Sequence, residues 1–129
     1  MVKIHEFDPV LYPFKLWVSL FNDEEDDVKA YDERFKDGHN GKPMQSEVIL
    51  KNDGITYWVC EQDSNVKKGA LIVINGKEAG TMKVIAHEAT HAARFAWDFL
   101  GESPTGEEAD AYLVGWIAKC VEEIVNMDG

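Results

Sequence analysis

The sequence predicts an α+β fold, in which a short antiparallel sheet packs against two long C-terminal helices. Runs rich in β-branched and aromatic residues, each closed by a turn signal, occur before residue 76. After residue 80 the apolar residues recur at helical spacing. The 129 residues are 45% hydrophobic, which is enough material for one core. We therefore expect residues 1–129 to form a single domain.

The first elements are predicted from local turn and cap signals. Phe14–Phe21 is a strand candidate between a proline and an asparagine. Asn22 or Asp23 can cap the next helix, whose first turn is acidic, as the helix dipole favours. The apolar residues of this helix are Val28, Tyr31 and Phe35. The composition of residues 37–43 predicts a loop.

Two further runs predict the centre of the sheet. Ile55–Cys60 follows an Asp-Gly turn, and Leu71–Ile74 is closed by Asn-Gly. Because the segment between them is short and polar, we expect them to pair antiparallel. Val48–Leu50 is a candidate edge strand.

Two helices complete the chain. Thr81 is the expected N-cap of the first, which should end near residues 99–100, where Gly101 stops it. The second opens at residues 103–105 and reaches about Asn126. The expected buried side of the first helix is formed by Met82, Ile85, Ala86, Ala89, Ala92, Ala93, Ala96 and Phe99.

The opposite, polar side of that helix carries an H-E-x-x-H motif, His87-Glu88-Ala89-Thr90-His91. Residues four apart lie on one helix face, so both imidazoles can reach a single ion. Glu88, on the flank of the pair, can accept a proton from an activated water without being a ligand. Two surface histidines with no metal are the simpler alternative.

A catalytic zinc site needs a third protein ligand, and the second helix offers one near its start. Glu107 and Glu108 are the candidates. Glu108 shares a stripe with Ala111 and Gly115, whose small size would allow a close approach to the first helix. We therefore prefer Glu108. The larger stripe of this helix is formed by Leu113, Trp116, Ile117, Cys120 and Ile124.

Composition excludes several functional classes. The net charge is −11 and no Lys/Arg cluster occurs, so nucleic-acid binding is not expected. No segment resembles a signal peptide or a membrane span, so we expect a cytoplasmic protein without a membrane partner. Cys60 and Cys120 are expected to be buried free thiols. No feature indicates an oligomeric state.

His87-Glu88-x-x-His91 followed by Glu108-Ala109-x-x-Tyr112 resembles the gluzincin zinc peptidases. It is most similar to their compact ImmA/IrrE-like branch and to small HExxH proteins of phages and prophages. The resemblance covers roughly residues 81–125. It implies a minimal zincin-like core that binds Zn²⁺ through His87, His91 and Glu108, with Glu88 as general base.

The function expected from the motif and the resemblance is zinc-dependent hydrolysis of a peptide or protein substrate. Tyr112, Arg94, His39 and His5 are candidate donors to the transition-state charge, and the sequence does not separate them. Asp98 and Asp110 are possible acceptors for a ligand imidazole, although a surface role is the simpler reading. The alternative function is a non-catalytic binding or regulatory protein on the same scaffold, with zinc structural or absent.

An edge strand before the HExxH helix would favour the enzyme, because an extended peptide can add to an exposed strand. Leu71–Ile74 is the expected edge strand.

Overall fold

The computed structural model describes residues 2–10, 12–22, 25–63, 67–101 and 107–127, and the side chains of residues 25, 26, 47 and 107 are not described. It is an α+β structure with a five-stranded mixed sheet and three α-helices in this part of the chain. The elements in chain order are β1 (Ile4–Phe7), β2 (Lys15–Leu20), α1 (Glu25–Arg34), β3 (Phe35–Asp37), a 3-10 helix (Ser46–Lys51), β4 (Gly54–Glu61), β5 (Lys68–Ile74), a short 3-10 turn (Lys77–Ala79), α2 (Met82–Leu100) and α3 (Glu107–Val125).

The sheet has the order β1-β2-β5-β4-β3. β4 and β5 pair antiparallel, as predicted, with Thr56 opposite Ile72. The expectation of a purely antiparallel sheet is wrong, because β2 and β5 pair in parallel over their whole length. Leu71–Ile74 is likewise not an edge strand, since β5 lies between β2 and β4.

Burial on both faces explains why β5 is central. Its residues from Gly69 to Ile74 are all buried, as in a strand that is covered on both sides. An uninterrupted apolar run of this kind is typical of a sheet interior, whereas an edge strand with one solvated face alternates.

Two apolar layers enclose the sheet. One face, with Leu16, Val18 and Ile72, packs against α2 and α3. The other face, with Trp17 and Val73, belongs to the second layer. That second layer is completed by buried residues of α1, β3, the 3-10 helix and the loop before it, namely Tyr31, Phe35, Met44 and Ile49. The structure is therefore a sheet sandwiched between α2–α3 and a smaller α1 side.

Two local predictions in the first half differ from the structure, and one strand was not predicted. Val48–Leu50 lies in the 3-10 helix and is not a strand. Phe35 begins β3 and does not continue α1, although its side chain is buried in the same layer as Tyr31. β1 was not predicted, and it pairs with the predicted strand β2. Asp23 lies outside the described residues.

The first long helix has the predicted limits. Thr81 is its N-cap, and the Thr81 hydroxyl accepts a hydrogen bond from the Val84 amide at 3.3 Å. Gly101 ends the helix with a φ of 70°, which glycine adopts without steric cost. Most of the expected apolar side is buried, but Met82, Ala86 and Phe99 are exposed, because they lie at the ends or rim of the buried face.

α3 buries the larger of its two predicted stripes. Leu113, Ile117, Cys120 and Ile124 are buried, whereas Trp116 is half-buried. Ala111 and Gly115 are exposed, and a Cβ built on Gly115 meets no atom within 4 Å. The expectation that this small-residue stripe faces α2 is therefore wrong, because burying the larger apolar stripe removes more hydrocarbon from water. Residues 103–105, the predicted start of the helix, lie outside the described residues.

Both cysteines are buried free thiols, as predicted. Burial raises the pKa of the Cys120 thiol to about 11, so this group stays protonated at neutral pH. None of the helices in the described part of the chain has the length and hydropathy needed to cross a membrane.

Substituting alanine at two glycines should change the free energy of unfolding in opposite directions. A Cβ on Gly69 would collide with the backbone carbonyl of Lys15 in the parallel strand β2. We expect Gly69→Ala to lower the free energy of unfolding by more than about 3 kcal/mol, since backbone cannot move aside cheaply. Gly115→Ala should raise it by roughly 0.5–1 kcal/mol, because its helical site is open. Urea unfolding of both variants measures this, and a destabilised Gly115→Ala protein would contradict the exposed position of that stripe.

Candidate metal centre and adjoining cleft

The two motif histidines lie side by side on the exposed face of α2. Their Nε2 atoms are 3.1 Å apart, and their ring planes meet at 80°. Two nitrogens bound tetrahedrally to one zinc at about 2.05 Å would lie about 3.3 Å apart. The side chains thus already converge at the separation that a shared ion requires. The same distance also suits a hydrogen bond between one protonated and one unprotonated ring nitrogen.

Glu88 points into the protein, toward strand β4. It is 6% exposed, and its Oε1 accepts a hydrogen bond from the Thr56 hydroxyl at 2.9 Å. The same hydroxyl lies 3.1 Å from the Glu88 backbone carbonyl. A Cβ built on Gly54 would be 3.1 Å from Glu88 Cγ, so this glycine makes room for the side chain. The carboxylate is therefore held in a defined position between α2 and β4.

The rotation of α2 about its axis decides where the imidazoles point. His91 and His87 lie about 60° and 100° from Glu88 in one rotational sense, whereas Ala89 and Ala93 lie about 100° and 140° in the other. The alanines are fully buried, and both histidines are exposed. α2 packs beneath β4 and β5, and α3 packs beneath β2. The histidine pair is therefore on the flank of α2 that faces away from α3, toward the β3 side of the sheet.

Glu108 is not brought to this pair. It is exposed, and no three His, Cys, Asp or Glu residues within the described ranges are close enough together to hold a metal. Asp110 shows the register of the two helices, since its Oδ1 accepts a hydrogen bond from Trp97 Nε1 at 3.0 Å. Trp97 is six residues, or about 9 Å along the axis, beyond His91. Glu108 precedes Asp110 on the antiparallel helix and so lies still farther from the pair.

The fit to zinc is consequently partial. The imidazole pair suits the ion, but the described side chains do not supply a third ligand next to it. The side chain of Glu107, the other candidate, is not described.

A cleft of about 480 Å³ adjoins the motif on its sheet side. Its lining includes Thr56, the partner of Glu88, and Phe95, one helical turn after His91. The opposite wall comes from the segment 37–48. His87 and His91 are not part of the lining. The cleft and the motif are thus connected through Thr56, which lines the cleft and donates a hydrogen bond to Glu88.

The open edge of β4 forms one side of this cleft. β3 pairs with β4 only from Val59 to Glu61, and the Gly38 amide adds one bond to the Trp58 carbonyl at 2.9 Å. Among the described strands, none continues beside Gly54–Thr56 on that side. An open strand edge therefore lies next to the HExxH helix, but it belongs to β4 and not to the predicted Leu71–Ile74. The polar Thr56 in the otherwise apolar and aromatic run Ile55–Cys60 is the sequence signal that could have found it.

Among the four donor candidates, one borders the cleft. The His39 ring lies 5.8 Å from the Phe95 ring and lines the cleft wall. Arg94 instead pairs with Asp110 at 3.6 Å, and His5 is on β1, at the other edge of the sheet. Tyr112 is 75% exposed on α3. Asp98 is exposed, and Asp110 is engaged by Trp97 and Arg94.

Comparison with known proteins gives no relative: no protein-family model, curated protein or solved structure matches the chain.

The Thr56–Glu88 contact predicts a specific loss of stability. Thr56→Val removes the only donor within the described residues that the structure gives to the buried Glu88 carboxylate, so unfolding should become easier by about 1–3 kcal/mol. Thr56→Ser keeps the hydroxyl and should cost less than the valine variant. Urea denaturation at pH 7 compares the two, and a valine variant as stable as wild type would argue against the buried position of Glu88.

Proposed function

We propose that this protein is a zinc-dependent peptidase built on a minimal zincin-like core, with His87 and His91 as metal ligands and Glu88 as general base. The observation that carries the proposal is the convergence of the two imidazoles at 3.1 Å beside a carboxylate that is fixed by Thr56. The two exposed histidines contribute little to the core, so packing does not account for their convergence. Together, the histidines and Glu88 supply two imidazole ligands and a carboxylate base, which are parts of a site for metal-assisted hydrolysis.

A bound zinc would supply the Lewis acidity that this chemistry needs. Glu88 would take the proton from the attacking water and return it to the leaving amine. Thr56 holds the Glu88 carboxylate through its hydroxyl, which limits the positions it can adopt. The uncovered edge of β4 would align an extended substrate by main-chain hydrogen bonds.

The third ligand is part of this proposal. Glu108 remains the preferred residue by resemblance, and Glu107 is the alternative. Glu108 would reach the pair only if the start of α3 moved toward the middle of α2, since its position now corresponds to the far end of that helix.

One observation favours a second candidate function. Because Glu108 is exposed and is not grouped with the histidines, the chain also fits a non-catalytic binding or regulatory protein that keeps the HExxH helix. In that case, zinc would be a structural clip or absent. The two functions differ in whether peptide turnover depends on Glu88.

The proposed metal centre predicts that each chain binds one zinc ion. Protein equilibrated with zinc and then desalted should retain one zinc per chain, and His91→Ala should lose it, because one imidazole cannot hold the ion alone. Elemental analysis by mass spectrometry measures the content. His5→Ala, on the opposite edge of the sheet, is the matched control and should keep its zinc.

The same measurement on Glu107→Gln and Glu108→Gln identifies the third ligand as the residue whose change weakens zinc binding. Wild-type protein that retains no zinc would remove the metal centre from the proposal.

A measurement of peptide turnover distinguishes the peptidase from the non-catalytic function. Glu88→Gln should lower kcat on a cleaved peptide by at least about 100-fold, since a general base contributes that much or more. Its zinc content and circular dichroism should match wild type, because the amide oxygen can still accept the Thr56 hydrogen bond. Peptide cleavage unaffected by this change would rule out the mechanism and leave the non-catalytic function.

A further inference from the structure

β3 and the turn after it occupy one end of the line along which a substrate would pair with β4. The Gly38 amide makes the last bond on this line, to the Trp58 carbonyl. The chain then folds back, with the Gly41 amide bonded to the Asp37 carbonyl at 2.8 Å. A Cβ built on Gly38 would lie 2.7 Å from Trp58 Cδ1, so the turn is pressed against β4. An added strand therefore cannot extend past Trp58.

The space between this turn and the general base is short. The Trp58 carbonyl faces β3, so alternation along the strand directs the main-chain groups of Thr56 to the same, open side. Thr56 is also the residue that holds Glu88. From Thr56 to Trp58 is about 7 Å of strand. One or two substrate residues fit between the reacting bond and the turn, and then the substrate must end.

The direction of pairing decides which substrate end lies there. β3 runs antiparallel to β4, and a peptide that continues the line of β3 in the same sense runs from Trp58 toward Gly54. Antiparallel pairs are also the more common and slightly more stable kind. In this direction the blocked end of the cleft receives the N-terminus of the peptide.

The charge at the blocked end suits an ammonium group. Asp37 is the last residue of β3, is half-buried and lines the cleft. Its Oδ1 accepts hydrogen bonds from the His39 and Asn40 amides at 2.7 and 3.3 Å, which fixes the carboxylate at the turn. Lys42, also on this wall, is exposed to water, which weakens its field in the cleft.

We propose that the cleft is specific for the free N-terminus of an extended peptide, so that the protein removes one or two N-terminal residues. This inference rests on the proposed peptidase function and adds the substrate class. The Asp37 carboxylate binds the terminal ammonium group. The turn 38–41 blocks the end of the cleft and so prevents internal cleavage.

The test uses one peptide sequence in three forms: free at both ends, N-acetylated, and C-terminally amidated. With zinc-loaded wild-type protein, mass spectrometry should find loss of one or two N-terminal residues. Acetylation should slow cleavage at least 10-fold, and amidation should have little effect. Internal cleavage, equal rates with the acetylated peptide, or a requirement for the free C-terminus would overturn the inference.

Binding to the Glu88→Gln protein without zinc gives a readout that does not depend on turnover. By calorimetry, the free peptide should bind at least 10-fold more tightly than the acetylated peptide, and Asp37→Asn should remove most of that difference. Asn can still accept the turn hydrogen bonds, and Asp63→Asn, an exposed change of the same charge, is the control. Equal binding of both peptides would overturn the inference.

A preference for the free amine in binding, without Glu88-dependent cleavage in wild type, would support the N-terminal specificity while rejecting the peptidase.

Discussion

The hydrogen bond from the Thr56 hydroxyl to the Glu88 carboxylate links the motif helix to the sheet, and the rest of the site depends on it. The buried side of α2 is mostly alanine, with Ile85 and Trp97 nearer its two ends. Because alanine side chains are small, their packing fixes the rotation of the helix about its axis only weakly. The bond to Glu88 Oε1 fixes one residue of α2 against one residue of β4. Once that rotation is set, His87 and His91 must lie on the flank beneath the open sheet edge.

The same contact places the Glu88 carboxylate next to the cleft in which a substrate is proposed to bind. Thr56 presents its hydroxyl to the helix and, by strand alternation, its main chain to the cleft. One residue therefore positions the proposed base and offers the hydrogen bonds that would align a substrate. Thr56 can have both roles only because β3 is short. A longer β3 would pair with the main chain of Thr56 and close the open edge of β4.

The position of α3 is set by burial of its apolar side chains, and this burial keeps Glu108 away from the two imidazoles. Leu113, Ile117 and Val121 are buried beneath the sheet, which places α3 on the flank of α2 away from the imidazoles. Burying these side chains is worth several kcal/mol, far more than the close approach of two small residues. The sequence stripe that contains Glu108 consequently faces water. A helix cannot turn both stripes toward the same neighbour.

The sequence by itself determined the α+β class, the limits of α2, the β4–β5 pairing, the buried cysteines and the adjacency of the two histidines. Each of these follows from local signals: a Thr cap and a Gly stop, apolar periodicity, and the spacing of four residues that one helical turn imposes.

Only the tertiary structure decided the parallel pairing of β2 with β5, the open edge of β4, the cleft, and the side of α2 that α3 occupies. These depend on which apolar faces meet after the chain has folded back on itself. Residues far apart in sequence, such as Thr56 and Glu88, become neighbours through that packing, and no local pattern encodes which of several apolar faces will be chosen.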